Sequence, residues 1–93
     1  MEYGNDFFGM NIEEVRRTAG SMEQAAQKIT DVVTRLNAAL QSTEWRGPDA
    51  DRFREEWNSQ HAPAIRAVAD DVRSSASEVR MNIEAQITTS RNY

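Results

Sequence analysis

The sequence is most informative at first for what it lacks. Its 93 residues include no cysteine, so no disulfide can staple the fold and no thiol is available as a nucleophile. There is one histidine, and there are only two prolines and four glycines to interrupt regular structure. No apolar run approaches the ~20 residues that a membrane-spanning helix needs. These features predict a single small helical domain with a modest core.

An excess of positive charge is also missing. The formal net charge is −4, which argues against nucleic-acid binding because that function needs a basic face. A membrane-surface helix would need a polar face rich in lysine and arginine. Residues 48–88 do carry five arginines, but acidic residues are interspersed among them, which favours a solvated face; these arginines are Arg52, Arg54, Arg66, Arg73 and Arg80.

The N-terminal segment, Met1 to Met10, has no basic residue and no long apolar stretch. It therefore does not have the pattern of a cleavable secretory signal. We expect a chain that is made in the cytoplasm and that, if it is secreted, leaves the cell by a route other than the general secretory pathway.

A first helix is predicted over residues 12–42. Asn11 can cap it by accepting a hydrogen bond from the amide of Glu14. From there, apolar residues recur at steps of three and four over four heptads, a pattern typical of a helix in a bundle. The repeat consists of Ile12, Val15, Ala19, Met22, Ala26, Ile29, Val33, Leu36 and Leu40.

The repeat stops in a predicted turn at residues 43–47. Trp45 offers a large apolar surface to bury at the tip, and Gly47 permits the backbone angles of a tight reversal. Pro48 suits the first position of a new helix, and Asp49 and Asp51 complement its N-terminal dipole.

A second helix is predicted over residues 48–88, with residues 89–93 as a frayed tail. Pro63 interrupts the pattern, so we expect a kink or short break near residues 60–62. The apolar positions of this helix are Ala50, Phe53, Trp57, Ala64, Ile65, Val68, Val72, Ala76, Val79, Ile83 and Ile87.

The N-terminal segment, residues 1–10, has a possible docking place on the second helix. If the chain folds back at Trp45, residue 12 lies near residue 79, and the second helix extends about two turns beyond the first. Ile83 and Ile87 would then be uncovered, and Phe7 and Phe8 are placed to cover them.

The apolar faces are wider than one helix-to-helix seam can hide, which usually marks a partner surface. Two hairpins packed antiparallel would bury both flanks in a four-helix bundle. The partner is either a second copy or a similar hairpin. The residues expected in the core or the dimer interface are Ile12, Val15, Met22, Ile29, Val33, Leu36, Leu40, Phe53, Trp57, Ile65, Val68, Val72, Val79 and Ile83.

Two amphipathic helices joined at Trp45-Arg46-Gly47 resemble the WXG family of ESAT-6-like proteins, and Phe53 and Trp57 fit the pattern that follows the turn. The resemblance implies a helical hairpin that dimerises into a four-helix bundle. It also implies a substrate, chaperone or adaptor of a type VII (ESX) secretion system. The family's export signal often includes Tyr-x-x-x-Asp/Glu after the second helix, and no such motif follows Tyr3 or Tyr93 here, so that half of the signal is not carried over.

Within that resemblance, Trp45 and Gly47 are the candidate turn and secretion motif. They serve either as filler at the hairpin tip or as a surface that the secretion machinery recognises.

The sequence offers few residues that could form an enzyme active site. His61 is the only imidazole available to activate a nucleophile such as Ser59. No cluster of residues has metal-ligand spacing, and no glycine-rich loop could hold a phosphate, so we expect no cofactor.

The sequence thus predicts an all-α helical hairpin acting as a homodimer in type VII secretion, without enzymatic activity. The alternative is an obligate heterodimer subunit that pairs with a WXG-like protein or with the helical N-terminal domain of a toxin.

Overall fold

The computed structural model describes the backbone of residues 6–7 and 10–92 and the side chains of residues 11–89. The chain forms an elongated helical hairpin of 67 × 18 × 17 Å. A short antiparallel pair, β1 (Asp6–Phe7) and β2 (Met10–Asn11), precedes the helices. The expected docking of Phe7 and Phe8 concerns side chains outside the described ones.

The first helix, α1, spans Ile12–Ser42, the range that its apolar repeat predicted. It begins where Asn11 Oδ1 accepts a 3.0 Å hydrogen bond from the amide of Glu14, which confirms the expected cap. It ends at the C-cap Thr43, whose amide donates to the carbonyl of Ala39 at 3.0 Å.

The return arm is helical from Pro48 to Asn92 but has three parts. These are α2 (Pro48–Glu56), a π-helical turn (Trp57–His61) and α3 (Ala62–Asn92). The residues expected to form a frayed tail, 89–93, are helical in this structure as far as Asn92. Extending an existing helix needs only one hydrogen bond per added residue, so an apolar repeat is not required there. Tyr93 lies outside the described residues.

The π turn is how this arm accommodates Pro63. Proline cannot donate a backbone hydrogen bond and crowds the carbonyl one turn earlier. The chain inserts one residue instead, so that the amide of Ala62 bonds to the carbonyl of Trp57, five residues back. The irregularity therefore occupies residues 57–61 rather than 60–62, and it widens the helix instead of breaking it.

The inserted residue changes which side chains of the return arm face α1. Beyond the π turn, Ala62, Ala69, Ala76 and Ile83 are buried at seven-residue intervals. Ala64, which the sequence pattern placed on the apolar stripe, is exposed. The sequence pattern missed this shift because it assumed one continuous helical phase.

The core between the helices is built largely of alanine. On α1 the buried residues are Ala19, Ala26 and Val33, also seven apart, and Val33 packs with Trp57 and Ala62. The buried residues of the two helices run in opposite directions from that cluster, as expected for an antiparallel hairpin. Small side chains let two helices approach closely, but each removes little apolar area from water.

Candidate functional site

The chain reverses its direction in the connection between α1 and α2, residues 43–47. Gly47 has φ 119° and ψ 173°, a combination that side chains with a Cβ rarely adopt. A Cβ added there would meet no atom within 4 Å, so the requirement for glycine is conformational rather than steric. Pro48 then opens α2, and the amide of Asp51 donates to the carbonyl of Gly47 at 3.0 Å.

Arg54 ties this connection to the end of α1. Its Nε donates to the carbonyl of Leu40 at 3.0 Å, its Nη1 to Trp45 at 2.8 Å and its Nη2 to Thr43 at 3.2 Å. The planar guanidinium has several donors in fixed directions, which is why one side chain can hold three carbonyls. The sequence pattern gave Arg54 no role beyond a place on the solvated face.

Trp45 lies on the surface of the tip. It was expected to be buried there, but 41% of it is exposed. The ring instead packs at the surface beside Phe53, with ring centroids 5.8 Å apart, and the guanidinium carbon of Arg54 lies 5.9 Å from its centroid. Phe53 is itself 40% exposed. We call Trp45, Phe53 and Arg54 the tip cluster.

Trp57, in contrast, belongs to the interior. It is buried, and its indole Nε1 donates a hydrogen bond to Oδ1 of Asn37 on α1. A notch of about 50 Å³ beside it is lined by Asn37, Leu40, Gln41, Arg54, Trp57 and Asn58. That volume suits one or two waters and not a substrate.

One face of the hairpin is polar. Arg80 pairs with Glu23, and Nη2 of Arg73 donates to Oγ1 of Thr30 at 3.0 Å. Glu23 and Thr30 each follow a buried α1 alanine by four residues, and Arg73 and Arg80 follow buried α3 alanines in the same way. Because these side chains meet, the positions four residues after the buried residues lie on one side of the hairpin in both helices. We call this side the polar face. We refer to these positions as the i+4 rows, and to those three residues after the buried ones as the i+3 rows.

The opposite side is apolar. Residues at i+3 lie on the other flank of a helix from residues at i+4, because a turn has 3.6 residues. Both i+3 rows therefore share the side opposite the polar face. They are mostly half-buried, and Leu36 is exposed. We call this surface the apolar face; its rows consist of Val15, Met22, Ile29, Leu36, Ile65, Val72 and Val79.

Two further valines widen the apolar face. Val32 and Val68 each precede a buried residue by one position, which puts them beside the i+3 rows. They are 49% and 52% exposed, respectively. The expected core or interface residues thus fall into four groups: buried, half-buried at the seam, on the apolar face and at the tip. Val33, Trp57 and Ile83 are buried within the chain, Ile12 and Leu40 are half-buried at the seam, and the others lie on the apolar face or, for Phe53, at the tip.

The residues considered for catalysis are not brought together. His61 is exposed on the π turn, and so is Ser59, whose hydroxyl donates to the carbonyl of Glu55 at 2.8 Å. An open depression of about 240 Å³ is lined by Arg16, Arg80, Ile83 and Glu84. Among the described residues, no group of three or more histidines or carboxylates is arranged to hold a metal ion.

Within the part of the chain that the structure describes, no helix combines the length and apolar character needed to cross a membrane. A scan against protein-family models, a search of curated proteins and a search of solved structures found no match to this chain.

Proposed function

We propose that this chain is a non-enzymatic, ESAT-6-like WXG protein that acts as a homodimer. In this proposal it is a substrate, adaptor or chaperone of a type VII secretion system. The observation that carries the proposal is the apolar face, which a single two-helix hairpin leaves uncovered. The position of Trp45-Arg46-Gly47 at the reversal between the helices supports the same assignment.

The amount of exposed surface supports a partner. The chain exposes 6903 Å², whereas a compact monomer of its mass of 10.6 kDa would expose about 5,500 Å². Its radius of gyration is 20.3 Å, against about 12 Å for a compact domain of this length. The excess of about 1,400 Å² on one chain is more than the roughly 800 Å² per partner that a standard protein interface buries.

The distribution of polar contacts favours one mode of assembly. Arg73 and Arg80 of the polar face already bind Thr30 and Glu23 within the hairpin, so these side chains gain little from a second protein. The apolar face has half-buried aliphatic rows and two exposed valines in the middle of the hairpin, and a second hairpin would complete their burial. A bundle of two hairpins packed through the apolar faces would leave the polar faces in water.

The mass of the purified chain in solution tests the assembly. Sedimentation equilibrium should give about twice 10.6 kDa. A chain that aggregates or is unfolded alone, and that folds with a co-expressed neighbouring hairpin protein, would favour the heterodimer. A stable, well-folded monomer at high concentration would contradict both forms of the proposal.

The secretion role needs a separate test. The tagged chain should accumulate in the medium of cells with an intact type VII system and stay inside cells in which that system is deleted. Retention in both strains would contradict an exported substrate. Co-purification of the retained chain with a system component or a toxin would then indicate an adaptor, and its absence would leave only an intracellular structural protein.

A further inference from the structure

We propose that Arg54 is the positioning residue of the hairpin tip. It joins the end of α1 to the connection, and by doing so it holds the indole of Trp45 at the surface beside Phe53. The inference about geometry stands by itself, and its consequence for recognition rests on the proposed function.

The C-terminal end of α1 has carbonyls without helical partners, and Arg54 binds there. The last carbonyls of a helix have no partner within the helix and carry a partial negative charge. The last turn of α1 contains no basic residue of its own. Arg54, which comes from α2, brings a full positive charge to this end and donates to the carbonyls of Leu40 and Thr43.

The same guanidinium fixes where the indole lies. It donates to the backbone carbonyl of Trp45 at 2.8 Å and also lies 5.9 Å from the centroid of the indole ring. The backbone and the ring of one residue are thus both held by one side chain. Phe53, the residue before Arg54, contacts the ring from a tilted orientation of 47°. Without the guanidinium, the indole would keep only this one aromatic neighbour among the described tip contacts.

Lysine at position 54 could not replace the contacts that arginine makes at the hairpin tip. Lysine retains the charge, but its single ammonium cannot reach three carbonyls in the directions that the guanidinium fork provides. Arg52 supplies a matched control two residues away. It is exposed and pairs only locally with Asp49, at 2.6 Å, within the described residues. Replacement of Arg52 therefore changes the charge of the same helix without touching the connection.

The experiment compares Arg54→Lys and Arg54→Met with Arg52→Lys and Arg52→Met. Fluorine NMR of fluorotryptophan-labelled protein gives one resonance for each of the two tryptophans, assigned with Trp45→Phe. We expect both Arg54 variants to shift and broaden the Trp45 resonance, and the buried Trp57 resonance to stay sharp and shift less, because Arg54 only lines the notch beside Trp57. Both Arg52 variants should leave the two resonances unchanged.

Amide exchange provides a second readout at the backbone. The Thr43 amide, bonded to Ala39, should exchange about tenfold faster or more in the Arg54 variants, as expected for the loss of hydrogen bonds to a charged group. If Arg54→Met does not fold, Arg54→Lys carries the test, because it keeps the charge at the end of α1. An unmoved Trp45 resonance and unchanged Thr43 exchange in folded Arg54→Lys would overturn the proposal.

Export separates positioning from simple stability. We expect Arg54→Lys to keep its solution mass and helicity but to be exported less than the Arg52 variants. Normal export with a displaced indole would overturn the consequence for recognition. If the unmodified chain is also not exported, that result counts against the proposed function and leaves the positioning of Trp45 to be decided by the two spectroscopic readouts.

Discussion

The guanidinium of Arg80 forms two hydrogen bonds with the carboxylate of Glu23, each 2.8 Å long, across 57 positions of sequence. This bidentate pair joins α3 to α1 on the polar face, far from the reversal. The hydrogen bonds from Arg80 hold the pKa of Glu23 below its usual value; partial burial opposes them, and the charge of Arg80 adds to them. Both side chains remain nearly half exposed, so we expect the pair to set register more than stability.

The pH dependence of stability should carry a small contribution from this pair. The pKa of Glu23 is lower in the folded state than its ordinary value of 4.5, so the stabilisation is present above that value. It is lost as the pH falls through the folded-state pKa, because the unfolded state then binds the proton more readily. Glu23→Gln should therefore flatten the acid side of a plot of unfolding free energy against pH, measured by urea titration at low salt.

Salt and a second carboxylate provide the controls for this experiment. The difference between Glu23→Gln and the unmodified chain should shrink at high ionic strength, because exposed charges are screened. Glu55→Gln should leave the acid side unchanged, since the side chain of Glu55 has no ion pair among the described residues. An acid slope that is the same with and without Glu23 would argue against the pair.

Replacement of Gly47 by alanine should destabilise the hairpin by about 1–3 kcal/mol, the usual cost of a strained backbone conformation. The reason is the φ of 119° at this position, since the added methyl group itself has open space. Gly20→Ala is the opposite case. Gly20 is helical, and its added Cβ would lie an ordinary 3.9 Å from Nη2 of Arg80, so stability should rise by about 1 kcal/mol. Thermal unfolding of both variants checks the two signs, and a stabilised Gly47→Ala would contradict the strain argument.

A charge on the apolar face should separate the proposed dimer without unfolding the hairpin. Val68 is 52% exposed in the single chain, so Val68→Glu should change hairpin stability by only about 0.5 kcal/mol. In a dimer packed through this face, the carboxylate would be buried without a partner, which costs several kcal/mol. Sedimentation should therefore show a shift toward the monomer.

Met81→Glu is the matched control for the apolar face. Met81 is 66% exposed, but it follows buried Ala76 by five residues and so points away from the apolar face. The control should keep the mass of the unmodified protein. Equal dissociation by both variants, or by neither, would show that the apolar face is not the interface.

Enlargement of a buried alanine should test the close approach of the helices. Ala69 is fully buried between α1 and α3, and Ala69→Leu should destabilise the hairpin by about 1–3 kcal/mol through overpacking. Ala67, two residues earlier, is exposed, and Ala67→Leu should be nearly neutral. Chemical denaturation of the pair gives the comparison. A neutral Ala69→Leu would mean that the seam between the helices has unfilled room.

Some features of this structure could be predicted from residues that are close together in the sequence. Asn11 has a short acceptor in the right place to cap α1, and the spacing of the apolar repeat from Ile12 to Leu40 fits only a helix. The start and the end of α1 were therefore predictable from residues close together in the chain. Gly47 and Pro48 have strong backbone preferences of their own, which located the reversal.

The sequence by itself determined the helical class, the position of the reversal and the existence of an apolar surface, because each depends on backbone preferences and periodicity within a few residues. Only the tertiary structure decided that alanines fill the seam, that the π turn brings Ala62 and Ala69 inward in place of Ala64, and that Arg54 holds the connection. Those outcomes depend on how closely two helices distant in sequence approach and on which carbonyls remain within reach of a long side chain, and neither distance is encoded in the periodicity of one helix.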